Sequence, residues 1–372
     1  MTGSESRNVR PLYIVGTQRN VGKTTFCIGL ISALRRRGLS VGYAKPLGQR
    51  VSLVAGQPIH DDALVVSQAM NMDKPEMASM VVPLTRGRVE KEIFDLHVPE
   101  LTEKILAVCS RLRAGCDLLV VEGMGHVAMG SVLKLSAADV SRIIGAKTLL
   151  MSGGGIGRAI DDISLCATFL IARGADMLGT VVNKVWPEKF DRVREATIKG
   201  LDNLGIRSYG TVPYEQTLAS PTVGQVAIKL GGRILCGTGS LSNRVGKTMV
   251  AAMETSHMVS HLKDRALVIT PGDRSDNILA ILSTYALMKE LPPPVAGIVL
   301  TGGFVPMGSV MDLLVESGLP SIQCSEDTYT VAAKLQETVF KITPEDKERI
   351  QIAMDLVNQY VDVQGILDSL QE

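Results

Sequence analysis

The segment at residues 11–38 reads PLYIVGTQRNVGKTTFCIGLISALRRRG. It starts with an apolar run ending at Gly16, continues through a loop containing Gly22, Lys23 and Thr24, and closes with an amphipathic stretch. Phosphate-binding loops (P-loops) combine these parts: turn N–H groups and a helix N-terminus hold phosphates, a Lys offsets their charge, and a hydroxyl binds Mg²⁺. The segment therefore predicts a strand, a P-loop and a helix.

The loop is one residue longer than the common form of this motif. Five residues separate Gly16 from Gly22, and Thr17 stands where the general pattern has glycine. Because the preceding strand and the following helix are both indicated, we expect the loop to bind a nucleotide. The residues expected to contact it are Gly16, Thr17, Asn20, Val21, Gly22, Lys23, Thr24 and Thr25.

The letters Val-Gly-Lys-Thr recur at 245–248 in different surroundings. Gly239 lies seven positions before Gly246 and Gly237 lies nine, so neither opens a loop of the required size. The sequence that follows, MVAAMETSHMVSHL, begins as a strand-like apolar run. We therefore predict an ordinary strand and loop here, and one nucleotide site in the chain.

Outward from the loop, apolar runs alternate with helical stretches. They predict strands at 11–16, 40–46, 117–123, 147–152 and 178–185, with helices at 23–38, 101–115 and 159–174. Strands alternating with helices of this length predict an α/β fold with a doubly wound parallel sheet.

The pattern changes at GTVPYEQTLASPTVGQ (210–225), which contains two prolines and several turn residues. A fresh α/β pattern follows, so we place a domain boundary near residue 222. The predicted division is a nucleotide-binding domain at 1–222 and a second, smaller α/β domain at 223–372. The second domain is predicted to include a C-terminal helical segment at 344–370.

Charged residues stand near the predicted strand ends. Glu122 ends DLLVVEG and could hold Mg²⁺ directly or through water, or could instead cap the following turn. Lys45 ends VGYAK, where it could clamp bound phosphates or remain solvated. In IHDDALVV (59–66), Asp61 or Asp62 could cap a helix or bind the metal, and spacing alone leaves both open.

Asn183 ends the strand TVVNK, where an Asn can hydrogen-bond a purine edge. Nucleotide-binding proteins that select guanine place an Asp three residues after this Asn, and the chain has Trp186 there. The absence of that Asp argues against guanine and leaves adenine as the default.

Composition narrows the function classes. Lys and Arg number 39 against 38 Asp and Glu, so no charge excess indicates nucleic acid or an anionic membrane as a partner. The six cysteines are scattered and form no C-x-x-C pair, and the N-terminus is polar. We expect a cytoplasmic protein with reduced thiols.

Together, VGTQRNVGKTT, AKP, HDDALVV, VVEGMG, VVNKV and TVPY resemble, in order and spacing, the dethiobiotin synthetase family, whose P-loop has the same five-residue gap. The resemblance covers about residues 10–222 and implies ATP and Mg²⁺ as cofactors. It implies Lys23 and Lys45 as catalytic residues, Lys45 facing a carboxylate substrate, and Thr24, Asp62 and Glu122 at the metal. Asn183 and Pro213 would touch the adenine. The chain departs from the family at Gly125-His126, where Gly-Gly is usual.

The second half resembles the DRTGG domain through VITPGDRSDNILAIL and GIVLTGG. A dethiobiotin synthetase-like domain followed by a DRTGG domain resembles the N-terminal regulatory part of long bacterial phosphate acetyltransferases. Their transferase domain would have to follow residue 372, so acetyl transfer is not expected. Asp273 and Arg274 are expected to line an anion or nucleotide pocket, or simply to stabilise a turn.

Two functions follow from these resemblances. The first is a nucleotide-sensing regulatory module of acyl-phosphate metabolism, with an acyltransferase as a possible partner. The second is an ATP-dependent synthetase that activates a carboxylate or carbamate by γ-phosphoryl transfer, of the dethiobiotin or cobyrinic acid a,c-diamide synthase type. A small-molecule ligand or carboxylate substrate is expected in both, and family analogy implies a homodimer.

Overall fold

The computed structural model describes residues 9–49, 51–54, 57–72, 82–84, 86–95, 98–287 and 293–372. Most of the polar N-terminus used above, residues 1–8, therefore lies outside the described residues. The chain forms two compact units. The first comprises the residues up to Glu215 together with Ile342–Glu372, and the second comprises Gln216–Lys341.

The first unit contains ten strands and seven helices before the chain leaves it, counted over the described residues. The strands are β1 Leu12–Gly16, β2 Val41–Ala44, β3 Leu47–Gly48, β4 Val51–Val54, β5 Gln57–His60, β6 Val82–Pro83, β7 Leu118–Glu122, β8 Lys147–Gly153, β9 Asp176–Val185 and β10 Ser208–Pro213. The helices are α1 Lys23–Arg36, α2 Asp61–Ala69, α3 Arg86–Phe94, α4 Val98–Arg113, α5 Ala137–Ile144, α6 Gly157–Ala172 and α7 Phe190–Asn203.

The second unit and the segment that returns to the first complete the chain. The strands of the second unit are β11 Arg233–Cys236, β12 Lys247–Val250, β13 Ala266–Pro271, β14 Val295–Thr301 and β15 Ser321–Gln323. Its helices are α8 Gln216–Ala219, α9 Val223–Leu230, α10 Thr255–Ser260, α11 Ser275–Leu287, α12 Ser309–Ser317 and α13 Thr328–Glu337. The return segment contains α14 Lys347–Tyr360 and α15 Val363–Gln371.

The main sheet of the first unit has the strand order β10-β9-β8-β1-β7-β2, and all its neighbouring strands are parallel. Strands β1 and β7 are buried along their whole length, as expected where helices cover both faces of a parallel sheet. This confirms the predicted doubly wound α/β fold. Because β1, β7 and β2 are neighbours, their carboxyl ends bring the P-loop, Glu122 and Lys45 to one edge of the sheet.

The predicted domain division is wrong at its C-terminal end. The segment Ile342–Glu372, expected in the second domain, belongs to the first unit. Helix α14 packs on α1 so closely that a Cβ added to Gly29 would lie 2.4 Å from the Ala353 carbonyl oxygen. Beyond α14, the Asp362 N–H donates to the Tyr209 carbonyl at β10. An amphipathic sequence shows that a helix has an apolar face, but not which unit that face covers.

The sheet of the second unit has the order β11-β15-β14-β13-β12, with β11 antiparallel to β15 and the other neighbours parallel. This confirms the predicted second α/β pattern. The second Val-Gly-Lys-Thr string leads into β12 and continues as a loop, as predicted. Within the described part of the chain, none of the helices is long and apolar enough to cross a membrane.

Candidate functional site

The extra residue of the P-loop is absorbed by the strand before it. The Thr17 N–H donates to the Met151 carbonyl at 2.9 Å, and the Thr17 hydroxyl donates to Ser152 Oγ at 3.2 Å. Both contacts continue the pairing of β1 with β8 by one position. The free part of the loop therefore starts at Gln18, and Thr17 at the usual glycine position acts as a buried end of the strand.

The loop requires glycine at two positions. Gly22 has φ 97°, in the left-handed region, and a Cβ there would lie 2.4 Å from Asn183 Nδ2. A Cβ on Gly16 would lie 2.9 Å from Val21 Cγ2 and 3.2 Å from Lys23 Nζ. The backbone therefore wraps closely around the Lys23 ammonium.

Helix α1 begins directly at Lys23 and is open at its N-terminus. Its N-cap, Gly22, offers no side-chain cap, and the first turn contains no acidic residue. Elsewhere in this unit, α2 and α5 begin with a capping side chain. The first N–H groups of α1 thus keep their capacity to bind an anion, and the helix dipole favours negative charge at that point.

Lys23 is a buried cation at the start of α1. The residue is only 7% exposed, and no group among the described residues accepts a hydrogen bond from its Nζ. Burial lowers the pKa of Lys23 to about 8; Glu122 opposes this shift, while the positive charge of Lys45 adds to it. A buried ammonium is stabilised when anionic oxygens are brought to it.

Lys45 is equally buried but doubly paired. Its Nζ donates to Asp62 Oδ2 and to Glu122 Oε1, at 2.6 Å each. Burial alone would lower the pKa of Lys45, but the carboxylates of Glu122 and Asp62 together outweigh it and raise the pKa. The predicted residues Lys45, Asp62 and Glu122 thus form one network at the edge of the sheet.

Two residues that the sequence analysis missed hold this network. The Tyr43 hydroxyl donates to Glu122 Oε2 at 2.7 Å, and burial, followed by the charge of Glu122, raises the pKa of Tyr43. The His60 ring caps α2, with its Nδ1 accepting from the Asp62 N–H at 3.0 Å. Tyr43 on β2 lies two positions before Lys45, which directly follows the strand, so the period of two was a usable signal. No pattern in the sequence indicated that His60 caps α2.

The oxygens beside the loop fit Mg²⁺. Thr24 Oγ1 lies 3.0 Å from Glu122 Oε1, and Asp62 is linked to the same carboxylate through Lys45. Over the described residues, no cluster of three or more His, Cys, Asp or Glu residues could hold a metal by itself. Mg²⁺ usually takes one or two protein carboxylates and completes its shell with phosphates and water, and Glu122 and Thr24 could supply the protein ligands here.

The end of β9 braces the P-loop. Asn183 Nδ2 donates to the Val21 carbonyl at 2.8 Å, and Lys184 Nζ donates to the Asn20 carbonyl at 2.6 Å. Asn183 Oδ1 accepts from the N–H of Lys184, which has φ 63°. The structure thus shows Asn183 bound to the loop, and its contact with adenine stays a prediction. Pro213 ends the neighbouring strand β10 and pairs with Val185.

His126, at the departure from Gly-Gly, is directed into the unit. Its Nδ1 accepts from the Ala128 N–H at 3.1 Å, and its Nε2 lies 4.0 Å from Cys166 Sγ on α6. The preceding Gly125 lets the chain pass close to the P-loop, because a Cβ there would lie 2.5 Å from Arg19 Cγ.

In the second unit, Arg274 forms an ion pair with Asp276. Its Nε and Nη2 donate to the two carboxylate oxygens of Asp276 at 2.8 and 2.7 Å. The hydrogen bonds from Arg274 lower the pKa of Asp276. Asn277 is fully buried behind the pair and donates to Thr270 Oγ1. The pair fixes the turn from β13 into α11 and keeps a partly exposed guanidinium at a strand end.

Comparison with known proteins agrees with this architecture. An AAA domain model matches residues 10–222 and a DRTGG domain model matches residues 225–338. A phosphate acetyltransferase of Pseudomonas putida is 28% identical over 95% of this chain and 51% of its own length. The chain spans about half the length of the curated relatives it matches. The predicted pairing of the two domains, as in phosphate acetyltransferases, is thereby confirmed.

Solved structures show more distant likeness. The MinD cell division protein of Aquifex aeolicus covers 56% of this chain and 84% of its own, at 17% identity and a TM-score of 0.35. The CBS and DRTGG regulatory region of a Clostridium perfringens pyrophosphatase, complexed with the activator diadenosine tetraphosphate, covers 34% of this chain and 52% of its own. Its identity is 16% and its TM-score 0.28.

Proposed function

The chain belongs to the AAA domain family through residues 10–222 and carries a DRTGG domain after them, and we propose that it is a regulatory module that binds ATP and Mg²⁺. In this proposal, nucleotide occupancy of the first unit and a small anionic ligand on the second jointly control an acyltransferase. Turnover of the nucleotide is slow or absent.

The observation that carries the proposal is the state of Lys23. A buried ammonium that finds no acceptor among the described residues, beside an uncapped helix N-terminus, is unfavourable until anionic oxygens reach it. Phosphates on the loop would accept hydrogen bonds from this ammonium and from the first N–H groups of α1. Thr24 and Glu122 would hold Mg²⁺ with the phosphates, and Asp62 would lie next to them.

The network around Lys45 favours regulation over synthesis. A synthetase would need this ammonium for its carboxylate substrate, but Nζ already donates to Asp62 and Glu122 in a buried network. A substrate carboxylate would have to replace one of these partners. Phosphate binding at Lys23 displaces neither partner of Lys45, because no group among the described residues accepts a hydrogen bond from Lys23 Nζ.

The second candidate function is the ATP-dependent synthetase. The pairing of Thr24 with Glu122 supports it, since that carboxylate stands beside the P-loop hydroxyl. A carboxylate or carbamate oxygen would attack the γ-phosphorus and ADP would leave. An amine would then attack the carbonyl carbon of the resulting mixed anhydride, forming an amide and releasing phosphate and a proton. Lys23 and Lys45 would stabilise the charge that develops during transfer.

One experiment separates these functions. ATP binding and ATP turnover are measured with and without carboxylate substrates, in the wild type and in Lys23→Ala. Binding in the micromolar range without hydrolysis supports the regulatory module, and turnover that depends on a carboxylate supports the synthetase. Failure of ATP to bind would contradict both.

The second unit contributes a separate proposal, that Arg274 faces an anionic ligand at the carboxyl edge of its sheet. Its partly exposed guanidinium and its position after β13 support this. Titration of Arg274→Ala with inorganic phosphate and with ATP tests it, with wild type as reference. Unchanged affinities together with lower stability would show that the residue only stabilises the turn.

The partner is proposed from the relatives. Because the chain spans about half of phosphate acetyltransferases, we propose that its partner is an acyltransferase catalytic domain, and that it acts in the cytoplasm as a homodimer. Size-exclusion chromatography with light scattering, with and without a purified transferase domain, tests the dimer and the complex separately.

A further inference from the structure

An aromatic pair stands where β9 and β10 end. The rings of Trp186 and Tyr214 lie 4.6 Å apart between centroids, tilted by 43°. The Tyr214 N–H donates to the Val185 carbonyl at 2.7 Å, which fixes the two segments to each other. Trp186 is 60% exposed, so the pair presents an indole surface to solvent at the carboxyl edge of the sheet.

This pair is tied to the P-loop through a short connection. Trp186 is the third residue after Asn183, a distance of at most about 10 Å along the chain. Asn183 and Lys184 bind the loop carbonyls of Val21 and Asn20. Strand β9 is also two positions from β1 in the sheet, roughly 10 Å. A nucleotide with its phosphates on the loop would extend along this edge towards the aromatic pair.

Asn183, the side chain predicted to contact a base edge, is held in place by the loop and by the backbone of β9. Asn183 uses its amide nitrogen for Val21 and its amide oxygen for the N–H of Lys184. The position that holds Asp in guanine-selecting proteins holds Trp186. An indole has a broad π-face and a single N–H, so it suits contact with the face of a base.

We propose that Trp186 and Tyr214 form a stacking platform for the base of the bound nucleotide. The proposal rests on the nucleotide site proposed above and extends it to the ligand class. The platform holds a purine by its face and does not distinguish adenine from guanine, so ATP and GTP compete with similar affinity. The phosphates supply most of the selectivity for nucleotides over other ligands. Stacking tolerates different bases because every base offers a π-face.

Trp186 is the single tryptophan of the chain, so its fluorescence reports on this position alone. The wild type is titrated with ATP, GTP and inorganic tripolyphosphate in the presence of Mg²⁺, and calorimetry measures the affinity of each. We expect ATP and GTP to change the tryptophan emission with affinities within about threefold of each other. Tripolyphosphate is expected to bind without changing the emission, because it has no base to stack.

The variants separate stacking from structure. Trp186→Ala should lower the affinity for ATP and for GTP by about 10-fold, in the lower part of the range for loss of one stacked base. Its affinity for tripolyphosphate should stay that of the wild type. Trp186→Phe, the matched control, retains a flat ring and should stay close to wild type for all three probes. Tyr214→Ala should have an intermediate effect.

Three results would overturn the platform while leaving the nucleotide site in place. They are unchanged ATP affinity in Trp186→Ala, equal loss of tripolyphosphate and ATP in that variant, or equal emission changes with both probes in the wild type. If neither ATP nor tripolyphosphate binds the wild type, the proposed nucleotide site is itself wrong and the platform falls with it.

Discussion

Lys23 and Lys247 each follow a Val-Gly pair and precede a Thr, yet their environments are opposite. Lys23 starts a 14-residue helix, is buried, and has no acceptor among the described residues. Lys247 starts the edge strand β12 and is 33% exposed, with its Nζ 3.6 Å from Asp264 Oδ2. The strand before the string and the helix after it decide which of the two can hold a phosphate, and the four letters do not.

The glycines show the same difference. Gly22 is left-handed and opens a helix, whereas the Gly246 N–H donates to the Arg265 carbonyl in a turn beside a strand. In the second string, a Cβ on Gly246 would lie 1.9 Å from the Asp264 carbonyl oxygen. Glycine serves close backbone packing there, and serves an anion-binding turn in the first string.

The largest expected effect concerns the network that surrounds the first string. Lys45→Met leaves Asp62 and Glu122 buried without their shared cation, which should lower the free energy of unfolding by about 3–5 kcal/mol. Lys247→Met is the matched control and should cost at most about 1 kcal/mol, because its ion pair is long and partly exposed. Urea unfolding measures both. Equal losses would mean that the network of Lys45 is not buried in solution.

The second prediction compares the two lysines directly. Lys23→Ala should lower the affinity for ATP by roughly 100-fold, about 3 kcal/mol of binding free energy, because charged hydrogen bonds to phosphate are lost. Lys247→Ala should bind ATP as the wild type does. Isothermal titration calorimetry at constant Mg²⁺ gives both values. A large loss in Lys247→Ala alone would reverse the assignment of the site.

The third prediction concerns replacement of each of the two glycines by alanine. Gly22→Ala forces a left-handed alanine against Asn183, at a cost of about 1–3 kcal/mol, and should weaken ATP by roughly 10-fold or more. Gly246→Ala should lower stability without changing ATP affinity. Thermal unfolding measures the stability of each variant, and titration with ATP measures its affinity. Weaker ATP binding in Gly246→Ala would break the distinction.

The fourth and smallest effect is pH dependence. With a pKa of about 8 in the free protein, Lys23 loses its proton above that pH. Phosphate favours the ammonium, so binding takes up a proton, and ATP affinity should fall by about 10-fold from pH 8 to 9.5. Lys23→Arg stays charged and should show a flat profile, because a guanidinium does not deprotonate in this range. A flat wild-type profile would show that Lys23 is not the residue that meets the phosphates.

The sequence was sufficient to predict the central strands and the first helix of the first unit. Strands β1 and β7 and helix α1 lie within one or two residues of their predicted bounds, because each is a clear apolar run or amphipathic stretch bounded by turn residues. The family resemblance placed Lys45, Asp62 and Glu122 around one bound ligand, and the structure joins their side chains in one network. Their contacts with a ligand stay predictions.

The remaining features depend on tertiary contacts. Strand β10 contains Gly210 and ends at Pro213, both of which indicate a turn in sequence, so the stretch was interpreted as the start of a boundary. Gly29 is an ordinary helix residue until α14 is packed against it. The turn of Lys184 towards the P-loop depends on a left-handed backbone that no local pattern indicates.

The most direct test of the account is a crystal structure of the chain grown with a non-hydrolysable ATP analogue and Mg²⁺. We expect phosphate oxygens within hydrogen-bond distance of Lys23 Nζ and of the first N–H groups of α1, and no phosphate at Lys247. Phosphates bound at Lys247, or a bound nucleotide that leaves Lys23 without an acceptor, would contradict it.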